Sequence, residues 1–152
     1  MAWGKNGTPE TLGSAGALNI TDLDAKNFNV QLIHWIQNSA LLEWQLDGLS
    51  TSTYAFRLSD NGAVDSTGTS DIKLISGTSA SNDEFSITYY ANINGEETLA
   101  ITFDVGANTA GVTNAPRRRE VAQKQTSTSQ FTQVDTTNSG NTNSNISMLG
   151  TD

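Results

Sequence analysis

Glu84-Phe85-Ser86-Ile87-Thr88-Tyr89-Tyr90-Ala91-Asn92-Ile93-Asn94-Gly95-Glu96-Glu97-Thr98-Leu99-Ala100-Ile101-Thr102-Phe103-Asp104-Val105 decides the fold class. Phe85, Ile87, Tyr89, Ala91 and Ile93 recur at every second position, and Leu99, Ile101, Phe103 and Val105 resume the pattern. Period two belongs to a strand with one apolar face, whereas a helix would scatter these residues around its circumference. Asn94-Gly95 between the runs is a hairpin signal, because both central positions of a type I′ turn need positive φ. The apolar set is expected to face the core, which leaves Tyr90 on the outward face.

The same alternation extends outward along the chain. Residues 27–37 form the clearest strand, with Phe28, Val30, Leu32, His34 and Ile36 expected inward. The opposite set mixes amides with Ile33 and Trp35, a partly apolar outer face suited to a neighbouring subunit. Leu42, Trp44 and Leu46 alternate next, and the two runs are expected to pair as a hairpin around residues 38–40. Tyr54, Phe56 and Leu58 share a face, as do Leu18 with Ile20 and Ile146 with Met148. Residues 120–126 and 130–136 read as a second, more polar pair. About eight to ten strands and no helix predict one all-β domain over residues 1–152, with short terminal arms: a two-sheet antiparallel sandwich resembling a jelly roll. Pairing of the first and last strands would hide exposed edges.

Composition agrees. Thr, Asn, Ser and Gly supply the polarity, and only 16% of residues are charged. That mix favours strands and turns over helices. The chain has no cysteine, which removes disulfides, thiolate ligands and thiol nucleophiles. A formal net charge of -8 makes nucleic acid a poor partner, since phosphate binding needs many Lys and Arg. No stretch approaches the ~18 apolar residues of a membrane span. The first residues lack the apolar core of a signal peptide, so synthesis as a cytoplasmic product is expected.

Few residues point to chemistry. His34, the single histidine, lies on an apolar strand face and reads as a core or interface side chain. No Gly-x-Ser-x-Gly elbow supports a triad. Asp60-Asn61-Gly62 with Asp65 and Asp71 has cation-loop residue types but lacks EF-hand spacing, and Asx-turns explain it better. Glu96-Glu97 sits on a turn, where neighbouring carboxylates point apart. No catalytic residue, metal ligand or cofactor is therefore expected.

The sharpest feature is Arg117-Arg118-Arg119, three of the eight basic residues, delivered by a loop over residues 108–116 to the start of a strand. Alternation turns Arg117 and Arg119 one way and Arg118 the other. Their expected targets are carboxylates, either of the fold itself or of a neighbouring subunit. If the subunit boundary is the target, Arg117→Ala with Arg119→Ala leaves the monomer folded and weakens assembly. The candidate interface residues are thus Arg117, Arg118, Arg119, Trp35, Ile33 and Tyr90.

Trp3-Gly4-Lys5, Thr11–Gly16, Tyr54-Ala55-Phe56-Arg57-Leu58-Ser59-Asp60-Asn61-Gly62, Gly111–Glu120 and Ser127-Thr128-Ser129-Gln130, taken as a set, resemble a family of β-rich virion-associated proteins. That family occurs in tailed phages and environmental, largely marine, viruses. The resemblance spans essentially the whole chain. It implies a virion structural protein with a β-sandwich fold, such as a capsid decoration or fibre component, and supplies no catalytic residue to carry over. The expected partners are the chain itself, as a homo-oligomer with a trimer favoured, and other virion proteins such as the major capsid protein. The alternative is an adhesin or fibre module that binds a host surface glycan through an exposed cluster of aromatics and amides.

Overall fold

The computed structural model describes residues 2–36, 42–76, 83–107 and 115–152. Among them the chain forms no helix. Its strands are β1 (Gly4–Lys5), β2 (Glu10–Thr11), β3 (Asn19–Ile20), β4 (Phe28–Trp35), β5 (Glu43–Leu46), β6 (Tyr54–Asp60), β7 (Ser66–Asp71), β8 (Leu74–Ile75), β9 (Glu84–Ala91), β10 (Thr98–Gly106), β11 (Arg117–Gln125), β12 (Val134–Thr136) and β13 (Asn145–Thr151). These thirteen exceed the eight to ten expected because several are only two or three residues long; eight have four residues or more.

Two antiparallel sheets form the predicted sandwich. The larger has nine strands, in the order β1-β13-β4-β9-β10-β11-β6-β7 with β2 also on β13; the smaller is β3-β12-β5-β8. First and last strands do pair, through Gly4 opposite Gly150. At the centre β9, β10 and β11 run as a continuous meander, their β-branched and aromatic side chains suiting the pleated surface. Between the layers lie Trp35, Trp44, Tyr54, Phe131, Leu46 and Ile33, all essentially buried.

The predicted inward sets hold on several strands. Leu18, Ile20, Leu42, Trp44, Leu46, Tyr54, Leu58, Ile146 and Met148 are all buried. On β4, β9 and β10 the assignment is reversed. Asn29, Gln31, Ile33 and Trp35 point into the sandwich, as do Ser86, Thr88, Tyr90, Ala100, Thr102 and Asp104. Ile33, Trp35 and Tyr90 are therefore core residues, not surface residues of the chain. Alternation identifies which side chains share a face; it does not identify the face that meets the second sheet.

A polar network explains how the hydrophilic set is accommodated inside. Trp44 Nε1 donates to Tyr90 OH at 2.7 Å, and Tyr90 OH donates to Gln31 Oε1 at 2.7 Å, linking the two sheets. Gln123 Nε2 donates to Thr102 Oγ1 at 2.9 Å while its Oε1 accepts from Ile75 N at 2.7 Å, a second bridge between layers. Thr88 and Thr102 hydroxyls bond each other at 2.9 Å. Buried polar groups that find such partners avoid the desolvation cost of going inside.

The connections also differ from expectation. β4 and β5 do not pair: β4 lies between β13 and β9, and β5 belongs to the other sheet. Likewise β11 and β12 part into different sheets. The β9–β10 hairpin forms as expected, but its turn spans Ile93 to Glu96 with positive φ at Gly95 and not at Asn94, the φ pattern of type II. The type I′ pattern belongs to Asn61-Gly62, both at positive φ, between β6 and β7. The segment does turn at Asn61-Gly62, but its carboxylates do not make the expected Asx-turns, and Ser66–Asp71 is the strand β7. Asp60 is taken up by Arg117, Asp65 by Arg57 at 3.1 Å, and Asp71 by the Ile72 amide at 2.8 Å.

Candidate functional site: an outward apolar sheet face above a buried ion cluster

Strand register builds the outward face of the larger sheet row by row. Leu149, Val30, Tyr89, Ile101, Ala122 and Arg57 form one row across six strands. The next outward row carries Ser147, Leu32, Ile87, Phe103, Glu120 and Ser59. Phe28, Ala91 and Leu99 continue the face on one side, and His34, Phe85 and Val105 on the other. In the isolated chain Tyr89 is 50% exposed, Ile101 51% and Leu99 54%. Tyr89 and Phe103 meet edge to face with centroids 6.4 Å apart. Shallow depressions cross this face, one of about 460 Å³ over Phe28, Tyr89, Leu99 and Ile101.

The strip formed by β4, β9 and β10 carries no formal charge on its outward side. The flank on β11 and β6 is charged but balanced. Arg57 pairs with Asp65, Lys124 pairs with Glu97 at 2.8 Å, and Arg118 lies one outward row from Glu120. Eight of the exposed large apolar side chains gather on this one face, the kind of contiguous patch that suits contact with another body.

The three arginines separate as alternation requires. Arg118 is exposed, opposite Val105, and belongs to the outward face. Arg117 is half-buried and grips Asp60 with its Nε and Nη2 atoms, the Nε contact being 2.9 Å. Arg119 is fully buried, its Nη2 2.5 Å from Asp104 and 3.6 Å from Glu84. Arg119 therefore cannot serve a subunit boundary as first expected; its carboxylate partners come from neighbouring strands. Cross-strand register makes the pair, because Arg119 sits directly opposite Asp104. The Ser76 hydroxyl adds a hydrogen bond to Glu84. The loop half over residues 108–114 lies outside the described residues.

Two carboxyl groups and one guanidinium meet here away from water. Burial, followed by the hydrogen bond and charge of Glu84, pushes the Asp104 carboxyl up to about 9, against the pull of Arg119. Asp104 thus keeps its proton near neutrality in the folded chain, where the unfolded chain would ionise it near 3.8. A raised folded-state pKa stabilises most below the unfolded value and loses that contribution as pH rises through the folded one. The contribution of Asp104 to stability is therefore expected to fall from about pH 4 to about pH 9, and Asp104→Asn is expected to flatten this slope in melting temperature. An unaltered slope in Asp104→Asn, read by thermal melts across that range, would refute the assignment.

His34 lies half-buried on the outward face, beside Phe85 and Asn145 in register. Among the described residues no group of three His, Cys, Asp or Glu side chains is placed to hold a metal ion. Phe28, Tyr89, Leu99, Ile101, Phe103 and Val105 are the site residues that the alternation had assigned to the core. The signal that could have found them was the polarity of their partners: Thr98, Thr102 and Asp104 on β10 are hydrogen-bonding residues spaced to meet others across the sheet. No protein-family model matches the sequence, and no curated protein matches it.

Proposed function

We propose that this chain is a structural component of a virus particle, acting by docking on the particle surface and on its own kind. The observation that carries the reading is the outward apolar face of the nine-stranded sheet, a surface suited to being covered by protein. The sequence resemblance to virion-associated proteins supports placing it on a capsid or appendage, as a decoration or a similar surface component. Its mechanism is linkage: a protein that binds the assembled shell and not the dispersed subunits shifts the balance toward assembly. Sugar recognition is less well served. A glycan platform needs polar groups beside its aromatics, and the outward neighbours of Tyr89 in its row are Val30 and Ile101.

The test is quantitative mass spectrometry and imaging of purified particles of the virus that encodes the chain. Many copies distributed over the shell are expected. Absence from the particle would overturn the reading. A few copies at a fibre tip, together with binding on a glycan array, would replace it with the adhesin alternative.

A further inference from the structure

We infer that the apolar face of the nine-stranded sheet is covered by the same face of a second copy of this chain, the two sheets packing face to face about a two-fold axis. The inference rests on the docking reading of this face, not on the virion assignment.

Area is the first argument. The six adjacent strands from β13 to β6 are seven to nine residues long. At ~4.8 Å between strands and ~3.3 Å per residue they offer roughly 700–800 Å². That is about what each partner contributes to a standard stable interface, ~800 Å².

Charge is the second. A chain of net charge -8 repels its own copies over most of its surface. The central strip is uncharged, and its flank sets Arg57, Arg118 and Lys124 against Asp65, Glu97 and Glu120, with Glu96 at the margin beside Ala91 and Leu99 as the one extra acid. Most of the acidic excess therefore lies elsewhere, and this is the face on which two identical chains approach with least repulsion. A lipid surface is a poorer occupant, since no basic excess accompanies the apolar strip.

Symmetry is the third. A ring built head to tail needs two different complementary patches, whereas a two-fold pair needs one patch that meets itself. Among the described residues, every exposed large apolar side chain lies on this face except Trp3, Val64, Ile72 and Ile93, and none of those four forms a second field. One patch favours a two-fold pair over the three-fold assembly expected from the sequence. Sheets that meet this way pack about 10 Å apart with interdigitating side chains, which places Ile101, Tyr89 and Phe103 at the middle of the contact.

Sedimentation velocity of the purified full chain from 1 to about 100 μM tests this. The expected mass is twice the 16.2 kDa of the chain. Ile101→Lys is expected to give the monomer mass at every concentration while retaining the wild-type circular dichroism spectrum. If that variant does not fold, Leu99→Ser on the same face carries the test, with the same expectation. A wild-type monomer at the top concentration, a trimer mass, or a dimer that persists in a folded variant would each overturn the inference. Monomer mass with flotation on neutral phosphatidylcholine vesicles would assign the face to lipid. The two proposals fail separately. A monomer found in many copies on particles removes the second copy and keeps the structural role. A dimer absent from particles does the reverse.

Discussion

Arg119→Ala is expected to cost the protein a large part of its stability. The substitution leaves the buried carboxyl groups of Glu84 and Asp104 without the cation they face at 3.6 and 2.5 Å. Breaking a buried pair from one side costs about 3–5 kcal/mol, because the remaining group stays desolvated and unpaired. Against a total of about 5–15 kcal/mol for a domain, that shifts the urea midpoint severely or unfolds the chain at room temperature. Adding Asp104→Asn and Glu84→Gln is expected to recover a large part of the loss, since the buried carboxyl groups that faced the guanidinium are then neutral amides. Arg118→Ala, on the exposed side of the same strand, is expected to leave the midpoint where it was. A folded Arg119→Ala with an unchanged midpoint would remove the ion cluster from the account of stability. The structure thus reverses one expectation from sequence: the paired Arg117→Ala and Arg119→Ala change acts first on the fold, and only Arg118 remains available to a partner.

The second large effect separates the two faces of the large sheet. Trp35→Ala empties a fully buried site between the layers and is expected to cost about 3–5 kcal/mol, including the cavity left behind. Phe103→Ala removes an aromatic of comparable importance to the sequence pattern, yet in the dilute monomer it is expected to lose little beyond the edge-to-face contact with Tyr89. Had the alternation been oriented as the sequence suggests, the ranking would be the opposite. Denaturant melts of both variants at low protein concentration decide the matter. If two copies pair through this face, Phe103→Ala at high concentration loses the stability that pairing adds to the wild type, because binding to the folded state raises its apparent stability by mass action.

Much of the architecture was readable in advance. Most strand positions, though not the strand Ser66–Asp71 in a stretch that reads as a loop, the all-β sandwich, the β9–β10 hairpin and the pairing of the chain ends follow from local properties: period-two side-chain direction, turn residues and β-branched content. The division of Arg117, Arg118 and Arg119 between two faces follows from the same geometry. So does the burial of Leu42, Trp44 and Leu46, where the apolar set on β5 and the residue before it faces the core directly.

The orientation of β4, β9 and β10 was decided only by the tertiary structure. A strand's covalent geometry sorts its side chains into two sets with equal ease in either orientation, and hydropathy alone favours putting Phe85, Tyr89, Ile101 and Phe103 inside. The inward choice of Gln31, Thr88, Tyr90, Thr102 and Asp104 depends on partners distant in sequence. Trp44 reaches Tyr90 from the other sheet, Gln123 joins Thr102 to Ile75, and Arg119 meets Asp104 across a strand pair. Such polar contacts offset desolvation only when the whole set is assembled, so no window of sequence reports them. The apolar residues displaced to the outside then form the exposed face of the larger sheet.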